Sequence, residues 1–360
     1  MDSAVIEKRV KKLQSLLAEK NIDCLIVTSV VNVTYLTGFL GDDSWAVVLK
    51  KAVYLITDSR YAEQSQKQCR HCKIIERKKS MSHAVSLLLK KHKSVNTAAL
   101  ESSASISAWN ALKKDIKLKI KPVEGLVESC REIKDSMEIS ATRKAVTVAK
   151  KALTKALKQV KPGITEAQLA AIINYEIHRS ASVNSFDTIV AFGGNASQPH
   201  HQPTNQKLKS SDTILIDFGA KVQGYCSDLT RCYTIGKVSK LYKKAYEVCF
   251  YAQRQAIKAV KTGAKIVDVD KVAREIIAKA GFAVYGHGTG HGTGLEIHEK
   301  PSLSPLNGKA VLKAGQIITI EPAIYIPGKL GIRIEDDVLV TETGCEVLSK
   351  SCPHGPSFGW

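Results

Sequence analysis

Two strand-like segments of this sequence each carry an aspartate, and their spacing predicts that the two carboxylates face each other. Residues 213–218 are rich in β-branched residues and include Asp217. Residues 225–235 form a second such segment, which includes Asp228, and a turn at residues 222–223 would place Asp228 opposite Asp217. Two opposed carboxylates on one face of a sheet repel each other unless a cation joins them. For this hairpin alone, a slipped register with one aspartate in solvent is the simpler explanation.

A second pair of acids repeats the pattern further along the chain. Residues 317–326 form another apolar segment, which contains Glu321. A turn centred on Gly328 folds it back onto residues 331–340 and places Glu321 opposite Glu335. Four inward carboxylates need about four positive charges, and two divalent metal ions are the economical way to supply them. The sequence therefore predicts a dinuclear metal site between two hairpins.

A glycine-rich segment between the hairpins, residues 285–299, adds histidines to this chemistry. Its glycines are too dense for a helix and allow the backbone to approach a site closely. The segment matches no phosphate loop, no G-x-G-x-x-G fingerprint and no H-E-x-x-H zinc motif. Any of His287, His291 and His298 alone would more often be structural or exposed. Their clustering between the two acid pairs favours a role at the metal site.

The elements that must position these residues divide into two blocks. The first block, residues 1–125, alternates predicted helices and buried strands, which indicates a layered α/β domain with a mainly parallel or mixed sheet. In the second block, a long helix from Asp135 precedes a helix that begins at a capping box at Thr165. Helices at residues 240–262 and 267–279 lie between the acid hairpins, and this order suits helices packed outside a curved antiparallel sheet.

The composition is that of a globular protein: 360 residues, 44% of them hydrophobic. No apolar stretch approaches the ~18 residues of a membrane span, and the charged N-terminus does not resemble a secretory signal. Nine scattered cysteines, including the C-x-x-C pair Cys69 and Cys72, favour reduced thiols and a cytoplasmic location. We expect the tail after Cys352 to be ordered only if Trp360 docks on the protein.

The net charge of +19 raises the question of a nucleic-acid partner. The lysines are spread over predicted helix faces without interleaved aromatic residues, and no zinc-finger or RNA-recognition motif is present. This distribution favours a solvated, lysine-rich surface and no specific nucleic-acid partner. Incidental binding to polyanions at low salt is still expected.

The order of these motifs resembles the metallopeptidase family with the pita-bread fold, which includes aminopeptidase P, prolidase and methionine aminopeptidase. The matching segments cover roughly the last two thirds of the chain: residues 185–190, 199–200, 216–220, 225–231, 290–299, 321–322 and 333–335. Residues 35–39 and 57–61 are similar to the creatinase-type N-terminal domain of aminopeptidase P and prolidase. The resemblance implies an α/β creatinase-like domain over residues 1–125. It implies an α+β pita-bread catalytic domain with a curved antiparallel sheet over residues 126–353.

The resemblance also implies which residues bind metal. Asp217 would bind one ion, Asp228 and Glu335 would bridge both, and His291 and Glu321 would complete the second. Such a ligand set suits Mn²⁺, our first expectation, and also Co²⁺ or Zn²⁺.

Further roles follow from the same resemblance. Glu321 would take the proton from the nucleophile, and His200 and His298 would hydrogen-bond the substrate carbonyl or the intermediate. His287 would line the leaving-group side, and Arg333 is expected to hold a carboxylate rather than touch substrate. The Pro-His pair at residues 199–200 favours His200 over His201.

The implied function is cleavage of the bond between an N-terminal residue and a following proline in small peptides, by a cytoplasmic homodimer. This is the activity of an Xaa-Pro aminopeptidase, and an Xaa-Pro dipeptidase (prolidase) is the alternative. A methionine aminopeptidase would lack the first block. A creatinase-like hydrolase, or a metal-free relative that binds nucleic acid or protein partners, would lack part of the ligand set, which is complete here.

Overall fold

The computed structural model describes residues 3–353 and residue 355. Packing divides the chain into two compact units, with the division between Arg131 and Glu132. The expectation for Trp360 falls outside the described residues. Within the described residues, no helix has the length and apolar character needed to cross a bilayer. All nine cysteines are free thiols.

The first unit is a six-stranded mixed sheet flanked by helices, in agreement with the predicted α/β layers. Its strands are β1 (Cys24–Val27), β2 (Trp45–Leu49), β3 (Ala52–Thr57), β4 (Lys73–Glu76), β5 (Ala98–Glu101) and β6 (Ile120–Val123), in the spatial order β4-β3-β2-β1-β5-β6. Its helices are α1 (Ser3–Glu19), α2 (Val30–Thr37), α3 (Ala62–Gln68), α4 (Met81–Lys91), α5 (Ile106–Asp115) and α6 (Leu126–Arg131). The central strand β1 is buried at every position, as expected of a strand covered on both faces.

Helix α6 belongs with the first unit. The hydroxyl of Tyr35 donates to the carbonyl of Cys130 at 3.1 Å, and Arg131 donates to the side chain of Asn32 at 2.7 Å. The division of the chain therefore follows α6, whereas the sequence interpretation placed it before this helix, at residue 125.

Over its described residues, the second unit contains antiparallel sheets and four α-helices. The helices are α7 (Ser136–Leu157), α8 (Glu166–His178), α9 (Lys240–Ala259) and α10 (Ile266–Lys279). The strands are β7 (Val183–Asn184), β8 (Ile189–Phe192), β9 (Asp212–Phe218), β10 (Ala220–Val222), β11 (Tyr225–Cys226), β12 (Leu229–Ile235), β13 (Gly290–Gly292), β14 (Glu299–Leu303), β15 (Ile317–Ile320), β16 (Ala323–Ile326), β17 (Leu330–Arg333), β18 (Asp336–Val340) and β19 (Cys345–Val347). Capping boxes at Asp135 and Thr165 begin α7 and α8.

Each pair of helices covers one face of a sheet. Ile216 and Phe218 of β9 pack in the core formed with α7 and α8, whereas Ile332 and Ile334 pack in the core formed with α9 and α10. Successive side chains of a strand point to opposite faces. Asp217, between the first two apolar side chains, and Arg333, between the other two, therefore point to the opposite faces of their strands.

The register of the first hairpin differs from the prediction by two residues. Asp217 pairs with Thr230, so its predicted pairing with Asp228 is wrong. The turn is Gln223-Gly224 rather than residues 222–223, and both turn residues have positive φ, 54° and 89°. A two-residue hairpin turn of type I′ requires this conformation, which glycine adopts without strain. A shift of two residues leaves each side chain on its predicted face because the side-chain period of a strand is two.

The second hairpin has the predicted register. Ala323 pairs with Arg333. On the other side of Pro322, Ile320 pairs with Asp336 in the same register. Proline has no N–H to donate, and the ladder is interrupted there. By this register, Glu321 and Glu335 lie opposite each other in the interruption.

Candidate metal centre

A cavity of about 510 Å³ brings together every site residue that the sequence predicted. The predicted metal-binding residues that line it are Asp217, Asp228, His291, Glu321 and Glu335. The other predicted residues in its wall are His200, His287, His298 and Arg333. Further lining residues, without a predicted role, include Gln202, Ile297 and Ser302.

The donor atoms lie at spacings that suit a shared cation. Nε2 of His291 is 3.5 Å from Oδ2 of Asp228 and 3.5 Å from Oε1 of Glu321. Donor atoms of Asp228, His291 and Glu335 all lie within 4.8 Å of one another. Two ligands that each bind at about 2.0–2.3 Å on one ion lie at such separations. This cluster therefore fits a metal ion.

Burial makes this arrangement unfavourable without a cation. Burial raises the pKa values of Asp228 and Glu335 well above their ordinary range, and the neighbouring carboxylates add to the effect. Burial also raises the pKa of Glu321 to about 7. The pKa of His291 is lowered to about 4, again by burial, so its imidazole is neutral at pH 7 and keeps a lone pair for a metal.

One carboxylate oxygen of the cluster lacks a partner. Oδ1 of Asp217 is buried and accepts no hydrogen bond from any described residue. Such an atom costs free energy unless something binds it. Hard oxygen donors with one imidazole suit Mn²⁺, Co²⁺ or Zn²⁺, so the residues fit the predicted metal.

Arg333 links the two hairpins. Its Nη2 donates to Oδ2 of Asp217 at 2.6 Å, and its Nε donates to the hydroxyl of Thr230 at 3.1 Å. That hydroxyl in turn donates to Oε2 of Glu335 at 2.6 Å. Nη1 of Arg333 donates to the hydroxyl of Tyr325 at 2.6 Å. Sequence reasoning missed Thr230 and Tyr325, although Thr230 shares a face with Asp228 two residues away.

The adjacent histidines His200 and His201 have different surroundings. His200 lines the cavity, whereas His201 is buried and its Nε2 lies 2.9 Å from Oε2 of Glu166. Glu166 also accepts the backbone N–H groups of Phe192 at 2.8 Å and Thr204 at 2.9 Å. This buried carboxylate therefore anchors the loop that presents His200.

The remaining histidines lie beside the acid cluster. Nδ1 of His287 is 3.8 Å from Oε2 of Glu321, and burial lowers the pKa of His287 to about 4. Its Nε2 lies 3.4 Å from the hydroxyl of Tyr325. The ring centres of His291 and His298 are 4.4 Å apart. All three imidazoles thus line the same cavity as the acid cluster.

Two further acids beneath the cluster had no predicted role. Oδ2 of Asp337 accepts the backbone N–H of Asp228 at 3.0 Å, and burial raises the pKa of Asp337 to about 8. Asp336 accepts from the buried guanidinium of Arg231 at 2.6 Å. Consecutive acids at the start of an apolar strand were the available sequence signal, since such residues need partners when they are buried.

Comparison with known proteins places both units in described families. Metallopeptidase family M24 matches residues 140–342, and the creatinase/prolidase N-terminal domain matches residues 9–133.

Individual relatives match over nearly the whole chain. The sequence is 33% identical to an Xaa-Pro dipeptidase of Pyrococcus furiosus over 351 residues, which cover 96% of this chain and 99% of that protein. The structure is similar to that of an Xaa-Pro dipeptidase from Bacillus anthracis, with a TM-score of 0.94, 32% identity and coverage of 98% and 100%. It is also similar to an X-Pro aminopeptidase from Thermotoga maritima, with a TM-score of 0.88, 31% identity and coverage of 95% and 99%.

Proposed function

This chain belongs to metallopeptidase family M24, as the motifs predicted, and we propose that it is an Xaa-Pro dipeptidase that uses two divalent metal ions. The sequence alone favoured an Xaa-Pro aminopeptidase and kept the dipeptidase as the alternative. The similarity to Xaa-Pro dipeptidases over nearly the full length supports the alternative better.

The observation that carries this proposal is the buried cluster of four acids and one histidine in a single cavity. We propose that Asp217, Asp228, His291, Glu321 and Glu335 hold two ions, Mn²⁺ first and Co²⁺ or Zn²⁺ as alternatives. When bound, such ions supply Lewis acidity toward the scissile carbonyl and a water molecule. A metal-free binding protein would leave the unpartnered oxygen of Asp217 unexplained.

The protein's own side chains would handle protons and orientation. By the family resemblance, Glu321 would take the proton from the nucleophile. His200 and His298, on the cavity wall, would hydrogen-bond the substrate carbonyl. His287, beside Glu321, would lie on the leaving-group side. These assignments follow from the family resemblance, and the cavity geometry is compatible with them.

A second candidate, the Xaa-Pro aminopeptidase, is favoured by one feature of the cavity. A dipeptide brings a free carboxylate close to the scissile bond, and such a group is best bound by a cation. Among the described lining residues, Arg333 is the only lysine or arginine, and it already donates to Asp217. A longer peptide has a neutral amide at this place and needs no additional cation.

Peptide assays distinguish these candidates. Purified protein with added Mn²⁺ would be given an Xaa-Pro dipeptide, the same peptide extended by one residue, and Met-Ala. We expect the highest kcat/KM for the dipeptide. Preference for the extended peptide would identify an aminopeptidase, and equal or faster cleavage of Met-Ala would contradict proline specificity.

We also propose a cytoplasmic homodimer. The two-domain members of the family that this chain resembles commonly dimerise, and the free thiols are compatible with a reducing compartment.

A further inference from the structure

A pair of charged residues on α10 binds the loop of residues 285–289, which leads into the cavity. Arg274 and Asp270 lie one helical turn apart, and Nε of Arg274 donates to Oδ2 of Asp270 at 2.7 Å. The guanidinium also donates to two loop carbonyls, those of Tyr285 at 2.9 Å and His287 at 2.5 Å. Its planar fork can serve the carboxylate and both carbonyls at once, which a lysine could not do.

Asp270 binds the other end of the same loop. Its Oδ1 accepts the backbone N–H of Thr289 at 3.2 Å and the hydroxyl of Thr289 at 2.7 Å. Asp270 and Thr289 are both buried, with 1% and 0% of their surface exposed. The hydroxyl of Tyr285 lies 2.5 Å from that of Thr289, so the two ends of the loop are also joined directly.

The loop is connected to the acid cluster at two points. The backbone N–H of Glu321 donates to the carbonyl of Thr289 at 2.8 Å. The imidazole of His287 lies 3.8 Å from the carboxylate of Glu321. His291 follows two residues after Thr289, in β13. A displacement of Thr289 would therefore move groups on both sides of the cavity.

We propose that Asp270 and Arg274 are positioning residues for the peptidase site: they set the backbone of residues 285–289 and, through it, the places of His287 and Glu321. This inference rests on the proposed function for its catalytic consequence. Asp270 and Arg274 themselves neither line the cavity nor belong to the acid cluster. Misplacement of reacting groups by about 1 Å can cost about 100-fold in rate. Hydrogen bonds that hold residues 285–289 on a helix therefore affect the catalytic rate.

The test compares two ion pairs on the same helix. Lys271 and Glu275 form an exposed pair, 3.6 Å apart, one residue away from the proposed anchor. Arg274→Met and the control Lys271→Met would be compared with the wild type for kcat and KM on an Xaa-Pro substrate. Mn²⁺ affinity would be measured by calorimetric titration, and folding by circular dichroism at the assay temperature.

For Arg274→Met we expect kcat to fall about 10- to 100-fold, KM to change less than about threefold, and Mn²⁺ affinity to fall about tenfold. Lys271→Met should stay within about twofold of the wild type in all three, as expected for an exposed pair. Wild-type kcat and Mn²⁺ affinity in a folded Arg274→Met protein would overturn the proposal.

A milder variant covers the case in which Arg274→Met does not fold. Thr289→Val keeps the ion pair and removes the hydroxyl that contacts both Asp270 and the hydroxyl of Tyr285, so kcat and Mn²⁺ affinity should still fall, by about three- to tenfold. Unchanged values would overturn the proposal. If the wild type cleaves no Xaa-Pro substrate, the proposed function fails, whereas the Mn²⁺ titrations still decide whether these residues position the site.

Discussion

Arg333 holds only one of the two carboxylate oxygens of Asp217. Its Nη2 donates to Oδ2 at 2.6 Å, while Oδ1 is buried and accepts no hydrogen bond from a described residue. The guanidinium thus fixes the orientation of the carboxylate and leaves one oxygen available for a cation. Because Arg333 lies in β17 and Asp217 in β9, this contact also sets the distance between the two acid hairpins.

The first prediction concerns this arginine. Arg333→Lys keeps the charge but cannot reproduce the donors to Asp217, Thr230 and Tyr325. We expect kcat/KM and Mn²⁺ affinity to fall by about 10- to 100-fold. Arg143→Lys is the matched control, since Arg143 pairs with Glu346 on the surface, and it should behave like the wild type. Equal effects of the two substitutions would refute a special role for Arg333.

A second prediction concerns the pH dependence of stability without metal. Burial raises the pKa of Glu321 to about 7 and those of Asp228 and Glu335 well above their ordinary values. Above about pH 6.5 the folded chain holds protons that the unfolded chain has lost, so stability should fall as pH rises through this window. Each retained proton contributes about 1.4 kcal/mol per pH unit.

The histidines define the lower limit of that window. Burial lowers the pKa values of His287 and His291 to about 4. Between about pH 4 and 6.5 the unfolded chain binds more protons at these positions, so the histidines make stability rise with pH, opposite to the effect of the carboxylates.

Melting curves of chelated protein from pH 6.5 to 8 should therefore report the contribution of the acids alone. With Mn²⁺ the fall should shrink to the part contributed by Asp337, whose pKa is raised to about 8 by burial and not by the metal-binding carboxylates, and the melting temperature should increase. Identical pH dependence in both samples would mean that the acids do not share a metal site.

Local patterns predicted the elements and their faces well. The helix that begins at Asp135, the capping box at Thr165 and the register of the second hairpin depend on neighbouring residues and a single turn. The register of the first hairpin was predicted wrongly because the choice of turn, Gln223-Gly224, depends on backbone twist. The strand face predicted for the acids is unaffected by this error, since a shift of two residues keeps each side chain on the same face.

Contacts between distant segments could not be predicted. The link from Arg333 through Thr230 to Glu335 joins two hairpins whose relative placement is set by the helices packed behind them. No spacing rule relates Asp337 to the N–H of Asp228, for the same reason. His200 and His201 could be separated only by an adjacent proline, whereas the structure separates them by the buried carboxylate of Glu166.

A third prediction tests that carboxylate. Glu166 is fully buried and accepts hydrogen bonds from His201, Thr204 and Phe192. Glu166→Gln replaces one acceptor oxygen by a donor, which should lower the free energy of unfolding by about 1–3 kcal/mol and reduce activity through displacement of His200. Urea denaturation and kcat/KM measure the two effects. A stable variant with full activity would show that the loop around His200 does not depend on this anchor.

A fourth prediction concerns assembly. Light scattering of an active preparation should give twice the 39.2 kDa mass of one chain. An active species with the mass of a single chain would contradict the proposed homodimer.

The last prediction uses two glycines of the same segment. A Cβ on Gly290 would lie 1.9 Å from the carbonyl oxygen of Thr319, so β13 can approach β15 only without a side chain there. Gly290→Ala should push apart the strands that carry His291 and lead to Glu321. Overpacking of this kind costs about 1–3 kcal/mol, and Mn²⁺ affinity should fall with the displaced ligands.

Gly286→Ala is the control, because a Cβ at Gly286 meets no atom within 4 Å. Thermal melting and Mn²⁺ titration of both variants would decide the matter: a loss confined to Gly290→Ala is expected, and a normal Mn²⁺ affinity in Gly290→Ala would show that close approach of these strands is not required for the site.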